Sequence, residues 1–215
     1  MAAYAGAFGA SFGAVSIASG LDIAQTMVLS LVMFSGASQF ALVGVIGGGG
    51  GGLAAIPTAL LLGARNAFYG VPITRILGRA GLRGPRRLVA AHLVIDETTA
   101  MAIARDEPDE QRYAFWATGT MLFSLWNIGS LVGALASSRV GDVGALGLDA
   151  MAPAAFLALL WPRLRVATAR WVAAGGALVA TLLVPLVPAG LPVLAAAPIA
   201  VVAGLLPRRR HEESS

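Results

Sequence analysis

The sequence predicts an all-α fold, a polytopic transmembrane helix bundle of seven to eight spans in a single domain, residues 1–215. Only 12% of the residues are charged and 57% are apolar, whereas a soluble domain is about 25% charged. The apolar residues form runs of about 20, the length that crosses a hydrocarbon core of about 30 Å. Stretches such as 53–62 and 178–184 are apolar on every side, as expected of helices surrounded by lipid.

The candidate spans follow one another with short loops between them. They cover residues 3–20, 24–46, 53–77, 88–104, 113–136, 145–162, 166–184 and 190–206. The run of glycines at 47–52 predicts a flexible loop between the second and third spans. A segment similar to residues 13–42 recurs at 133–159, which indicates either an internal repeat with interrupted helices, as in many transporters, or chance similarity in Ala-rich and Gly-rich sequence.

The basic residues are all arginines, and they cluster beside apolar runs. This arrangement is typical of residues that fix membrane topology, and it argues against nucleic acid as a partner. The strongest cluster predicts a cytoplasmic loop in a bacterial inner-membrane protein; it comprises Arg75, Arg79, Arg83, Arg86 and Arg87. Three spans separate it from the basic residues at 163–170, which would place the two clusters on opposite faces. A broken or re-entrant helix between Asp149 and Pro162 resolves the conflict; the alternative is that one cluster lies outside.

Small and polar residues interrupt the second span at its middle. They are Ser35, Gly36, Ala37, Ser38 and Gln39. Polar groups at that depth are costly unless they face protein, water or a ligand, although small residues also allow close helix packing. A helix opened at Gly36 would present free backbone N–H groups and a positive dipole end to the carboxylate of an amino acid.

Ionisable residues lie inside the third and fourth spans. Arg65, followed by Asn66, is far enough from the span ends to cost about 3 kcal/mol on insertion. It either snorkels to an interface or pairs with Asp96 or Glu97 of span four. Adjacent residues on a helix point about 100° apart, so one carboxylate would pair with Arg65 while the other supplies the protonatable group of a proton-coupled carrier. A purely structural ion pair is the alternative.

Further polar residues complete the intramembrane set. His92 precedes Asp96 by four positions on the same predicted helix face, and serves either as a proton relay or as a polar packing residue. Trp126 and Asn127 lie in span five, where we expect the asparagine to bond across helices. Asp149 is the last of the set. Cysteine is absent, and no metal or other cofactor is predicted.

Several segments of the chain resemble the AzlC-type branched-chain amino acid permeases. These are 9–13 (GASFG), 34–42 (FSGASQFAL), 65–70, 96–98 (DET) and 148–159. The sequence departs from the family pattern at Gly63 and Asn66, where asparagine and histidine are common. The resemblance implies a secondary transporter, not an enzyme, that exports valine, leucine, isoleucine and also methionine across the inner membrane. It further implies a small AzlD-type membrane subunit as partner.

The resemblance and the intramembrane polar residues together give one hypothesis. Backbone groups of residues 35–39 and Arg65 would hold the amino-acid carboxylate, and Asp96, Glu97 or Asp149 would meet its ammonium. An apolar pocket from spans one, two and five would take the side chain, and the proton gradient would supply the energy. The alternatives are a transporter or channel for another small solute, or an intramembrane serine protease that uses Ser35 or Ser38 with His92.

Overall fold

The structure, a computed structural model, describes residues 2–81, 83–139, 157, 160–187 and 191–205. The regular elements of these residues are helices, as the sequence predicts. They are α1 Ala2–Ala18, α2 Ile23–Val32, α3 Gly36–Gly47, α4 Gly52–Gly63, α5 Arg65–Gly81, α6 Pro85–His92, α7 Asp96–Ile103, α8 Pro108–Ser138, a 3-10 helix Trp161–Arg165, α9 Ala167–Leu183 and α10 Leu191–Leu205. Asp149, most of the candidate span 145–162 and most of the second copy of the repeat lie outside the described residues.

The second, third and fourth candidate spans each contain two helices in the structure. Of the three interruptions, only the one in the second span was expected. Span two divides between Val32 and Gly36, span three at Ala64, and span four between His92 and Asp96. Among the described helices, α8 alone has the length and apolarity to cross a membrane unaided, and the remaining apolar helices have 10–17 residues. The fourth candidate span is therefore not one continuous helix, whereas Ala64 in the third keeps helical dihedral angles of −56° and −28°.

Helix α8, 31 residues long, forms the centre of the bundle and packs along α1. The two helices approach until their backbones touch, because glycines face each other at the crossing. A Cβ atom on Gly9 or Gly13 would overlap the Trp126 or Ser130 carbonyl oxygen of α8, and a Cβ on Gly133 would overlap that of Ala10. Paired small residues four apart are a recurrent means of close helix association in membranes.

Buried hydroxyl groups connect α2 to the same pair of helices. Ser16 and Thr26 share a hydrogen bond of 2.8 Å between α1 and α2, and Ser30 of α2 donates to Ser130 of α8 at 3.2 Å. All four residues are fully buried. These bonds satisfy polar groups that would otherwise be unpaired away from water, so they fix the contact of α2 with α1 and α8.

Much of the outer surface is apolar. Leu53 is 96% exposed, and Phe68 and Trp171 are 77% and 78% exposed. A soluble monomer rarely exposes apolar patches larger than a few hundred Å². The distribution of apolar side chains is therefore that of a helix bundle whose surroundings are apolar.

Candidate functional site

A cavity of about 360 Å³ lies where the broken helices meet. Its polar lining comprises Ser35, Arg65, Asp96 and Glu97, and its aromatic lining comprises Tyr4, Phe8, Phe34, Phe40 and Trp126. Cavities that bind small molecules have volumes of about 300–1,000 Å³, with mostly apolar walls and a few converging polar groups. Both the size and the lining of this cavity match that description.

Two helix N-termini open onto the cavity. Helix α3 begins at Gly36 and α7 at Asp96, and both residues line it. The first backbone N–H groups of a helix have no intrahelical acceptor and carry the positive end of the helix dipole. The Ser35 side chain does not cap α3, and Gly36 and Ala37 line the cavity, so α3 begins at the cavity wall, as the sequence suggested for a helix opened at Gly36.

Helix α5 begins at Arg65, and only Ala64 separates it from α4. Its Nη1 lies 3.3 Å from Oδ2 of Asp96, so an ion pair joins the α4–α5 junction to the start of α7. The two side chains keep 41% and 31% of their accessible surface, and both line the cavity. Within the described part of the chain, Glu97 makes no such pair. Glu97 thus lines the cavity without a guanidinium group of the described residues within ion-pair distance.

Thr98 maintains the break that precedes α7. Its hydroxyl accepts a hydrogen bond from the Ile95 N–H at 3.0 Å and donates one to the Leu93 carbonyl at 2.8 Å. Both backbone groups lie in the non-helical segment between α6 and α7, and Thr98 is fully buried. The hydroxyl therefore replaces part of the backbone bonding that a continuous helix would supply, and it holds Asp96 and Glu97 at a helix start.

Two residues of the predicted polar set face away from the cavity. Ser38 and Gln39 are fully buried in the bundle. The Ser38 hydroxyl bonds to that of Ser35 at 3.1 Å, and Gln39 Nε2 donates to the Leu29 carbonyl at 3.3 Å. Of residues 35–39, Ser35, Gly36 and Ala37 therefore line the cavity and the other two do not.

Asn66 and Asn127 do not line the cavity either. Asn66 is half-buried, while Asn127 donates to the Phe123 carbonyl of its own helix at 2.8 Å, instead of bonding across helices as expected. The structure also separates His92 from Asp96, because α6 ends at the histidine and a break follows. The imidazole packs against Phe34 and Phe123, with ring centroids 6.1 and 5.5 Å away. This geometry favours the packing role over the proton relay.

The aromatic wall comes from α1, α3, α8 and the segment before α3. Phe40 meets the Trp126 ring edge to face at 6.4 Å, and Phe12 stacks on Trp126 and meets Phe40 edge to face. The sequence predicted an apolar pocket from spans one, two and five, but Trp126 alone was named. The aromatic spacing Tyr4–Phe8, one helical turn apart, is a signal that could have identified two more lining residues.

Among the residues that the structure describes, no three His, Asp or Glu side chains come together as metal ligands. The proposed protease arrangement is not assembled either, because Ser35 and Ser38 bond to each other and the His92 ring packs on phenylalanines.

The fold and the site define an all-helical membrane protein with an internal charged cavity. Residues 1–140 match the AzlC protein family, and they include every described cavity residue except Leu160. The chain belongs to the AzlC family, a membrane transport-associated family of transporter type and not a known enzyme family.

A relative from Helicobacter pylori is described as an uncharacterized membrane protein. It is 26% identical over 153 residues, which represent 70% of this chain and 65% of that protein. The chain thus spans slightly less than two thirds of the relative's length. No solved structure matches the chain.

Proposed function

We propose that this protein is a secondary transporter that exports branched-chain amino acids across the bacterial inner membrane in exchange for protons. Its substrates are valine, leucine and isoleucine, with methionine as a further substrate. The observation that carries the proposal is the convergence of two helix N-termini and three ionisable side chains on one aromatic-walled cavity. A zwitterion with an apolar side chain needs this combination of groups.

The transporter crosses the membrane several times, and two of its broken helix pairs turn back within it. Gly47 at the end of α3 lies against Ser19, just before α2, and Arg86 at the start of α6 lies over Trp116, near the start of the helix that follows α7. The breaks then lie near the middle of the bilayer. Non-helical backbone at that depth is tolerated where it lines a cavity, and broken helices form the substrate sites of many transporters.

The amino-acid carboxylate binds at the start of α3, where the Gly36 and Ala37 backbone faces the cavity. Glu97 meets the ammonium group, since Asp96 is held by Arg65 at 3.3 Å. The aromatic wall accepts the branched side chain. Glu97 also exchanges the coupled proton, so substrate and proton compete for one carboxylate. Asp149 remains a further candidate for the ammonium, outside the described residues.

The proposal is tested by leucine efflux from loaded proteoliposomes, with and without a co-reconstituted AzlD-type subunit. Asp96→Asn and Glu97→Gln are compared with Glu110→Gln, an exposed carboxylate in the first turn of α8. We expect efflux to fall at least tenfold in the first two variants and to remain unchanged in the third. Wild-type rates and unchanged pH dependence in both cavity variants would remove the carboxylate roles.

The choice of substrate is tested separately by thermal unfolding. A ligand that binds the folded state at 100 times its Kd stabilises it by about 2.7 kcal/mol. Leucine and valine should therefore raise the unfolding temperature, and glycine and glutamate should not. If none of the branched-chain amino acids has an effect and another small solute does, the protein transports that solute instead.

A further inference from the structure

A second cavity lies between α5 and α6, outside the central site. Its volume is about 500 Å³, and residues of both helices line it, together with Val94. Two glycines with positive φ, Gly78 at 68° and Gly84 at 53°, stand at the end of α5 and directly before α6. Such angles suit glycine because it lacks a Cβ atom, and the chain can reverse there to bring α6 beside α5. The groove is the space left between the two helices.

The walls of this groove are apolar apart from Thr74 and Arg87. Ile73 and Ala90 form its floor and are each only 2% exposed. Gly70 leaves space in the groove, because a Cβ atom there would meet nothing within 4 Å. The Thr74 hydroxyl is already bonded to the Gly70 carbonyl at 2.6 Å. In a membrane protein, a groove with these walls offers its surface to an acyl chain.

Of the described residues that line the groove, Arg87 is the one that carries a charge. Arg86, its neighbour on α6, lies over the Trp116 ring of α8 at 5.2 Å. Adjacent helix residues point about 100° apart, so the two guanidinium groups lie on different sides of α6. Tryptophan is enriched at the headgroup level of membranes, and the Arg86–Trp116 contact therefore indicates that the arginine end of the groove lies at that level.

Several arginines near the Arg87 end of the groove have no acidic ion-pair partner among the described residues. Among the described residues, none of Arg75, Arg83, Arg86 and Arg87 forms an ion pair with a carboxylate. These arginines were predicted to form a loop that sets topology, yet Arg75 belongs to α5 and Arg86 and Arg87 to the first turn of α6. Topology requires only positive charge on one side of the membrane. It does not require an arginine at the edge of an apolar groove.

We infer that the α5–α6 groove is a binding site for an anionic phospholipid, with the phosphate at Arg87 and an acyl chain along Ile73 and Ala90. Basic pockets between transmembrane helices are a recurrent form of lipid recognition. The inference depends on the membrane location of the protein and not on which solute it carries. The bound lipid would lie against α5 and α6, the two helices that lead from Arg65 to the break before Asp96.

Native mass spectrometry of the full chain in detergent tests the site, with phosphatidylglycerol and phosphatidylcholine as probes. We expect the wild type to retain one phosphatidylglycerol with at least fivefold preference over phosphatidylcholine. Arg87→Gln should weaken phosphatidylglycerol binding about fivefold, the factor that corresponds to about 1 kcal/mol for one arginine near a charged membrane surface. Arg170→Gln removes an equal charge from exposed α9 and should leave the binding unchanged.

A second variant tests the groove itself without changing the charge. Gly70→Leu fills the groove from the α5 side, where space is open, and should abolish retention of the lipid. Equal binding of the two lipids by the wild type, or equal loss in Arg87→Gln and Arg170→Gln, would overturn the inference. Displacement of the lipid by soluble glycerophosphoglycerol at similar concentration would also overturn it, since the site would then bind phosphate and not a lipid.

Discussion

The glycine contact between α1 and α8 leads to a prediction whose magnitude follows from the geometry. In Gly133→Ala, the new methyl group would overlap the Ala10 carbonyl oxygen and lie 2.7 Å from its carbonyl carbon. Ordinary contacts of this kind are 3.4–4 Å long. Since the atoms that it meets belong to the Ala10 backbone, no side chain can rotate away, and the helices must move apart at the crossing.

The opposing contributions to stability in this variant can be compared. Overpacking costs about 1–3 kcal/mol, and alanine regains up to about 1 kcal/mol of helix propensity relative to glycine. We therefore expect Gly133→Ala to be less stable by about 1–2 kcal/mol, which lowers the unfolding temperature on the order of 5 °C for a chain of this size.

Gly44→Ala is the matched control, because Gly44 lies inside α3 and a Cβ atom there meets nothing within 4 Å. This variant should be unchanged or slightly stabilised. Thermal unfolding in detergent micelles, followed by circular dichroism, measures both variants. Equal unfolding temperatures for the two would refute the backbone contact between α1 and α8.

Three further predictions concern the cavity. In a double-mutant cycle of Arg65→Gln and Asp96→Asn, we expect a coupling energy between about 0.5 and 3 kcal/mol in thermal unfolding, and additive effects would mean that the two charges do not interact. Thr98→Val should lower the free energy of unfolding by about 1–3 kcal/mol, because it leaves buried backbone groups unpaired. Thr120 is exposed on α8, so Thr120→Val should change that free energy by at most about 0.5 kcal/mol. In Glu97→Gln, an internal pH dye should show no proton movement coupled to leucine efflux; coupling that persists would assign the proton to another group.

The sequence predicted the residues at the cavity better than the path of the chain around it. The cost of an arginine at bilayer depth pointed to a carboxylate partner for Arg65, and the structure contains the pair with Asp96. The interruption of span two at Gly36 was also expected, because polar residues in the middle of an apolar run are conspicuous. In both cases an energetic cost is visible in the residue type itself.

The interruptions in the third and fourth spans were not predicted, although an ionisable residue, Arg65 or Asp96, directly follows each of them. Residues 93–95 are leucine, valine and isoleucine, and nothing in this triplet distinguishes a break from a continuous span. The break depends on the Thr98 hydroxyl, which bonds to the backbone of this segment. Side-chain bonding of this kind is a tertiary feature, so hydropathy could not predict it. The helix-face argument for His92 failed for the same reason.

The directions in which the side chains of the second span point could not be predicted from the sequence either. Ser35 and Gly36 line the cavity while Ser38 and Gln39 face the bundle, although all four belong to one polar stretch. Which face of α3 is turned to the cavity depends on its packing against α1 and α4. The aromatic wall was missed because phenylalanine and tyrosine are common in membrane helices, and their residue types alone indicate only burial.

The most direct test of the account is whether a branched-chain amino acid enters the cavity. Trp126 lines it, whereas Trp116, Trp161 and Trp171 do not, so a variant with phenylalanine at those three positions keeps one reporter. We expect leucine to change the Trp126 emission saturably, and Glu97→Gln in the same background to weaken the response at least tenfold. A leucine response that is absent, or that is unaffected by Glu97→Gln, would contradict the assignment of this cavity as the substrate site.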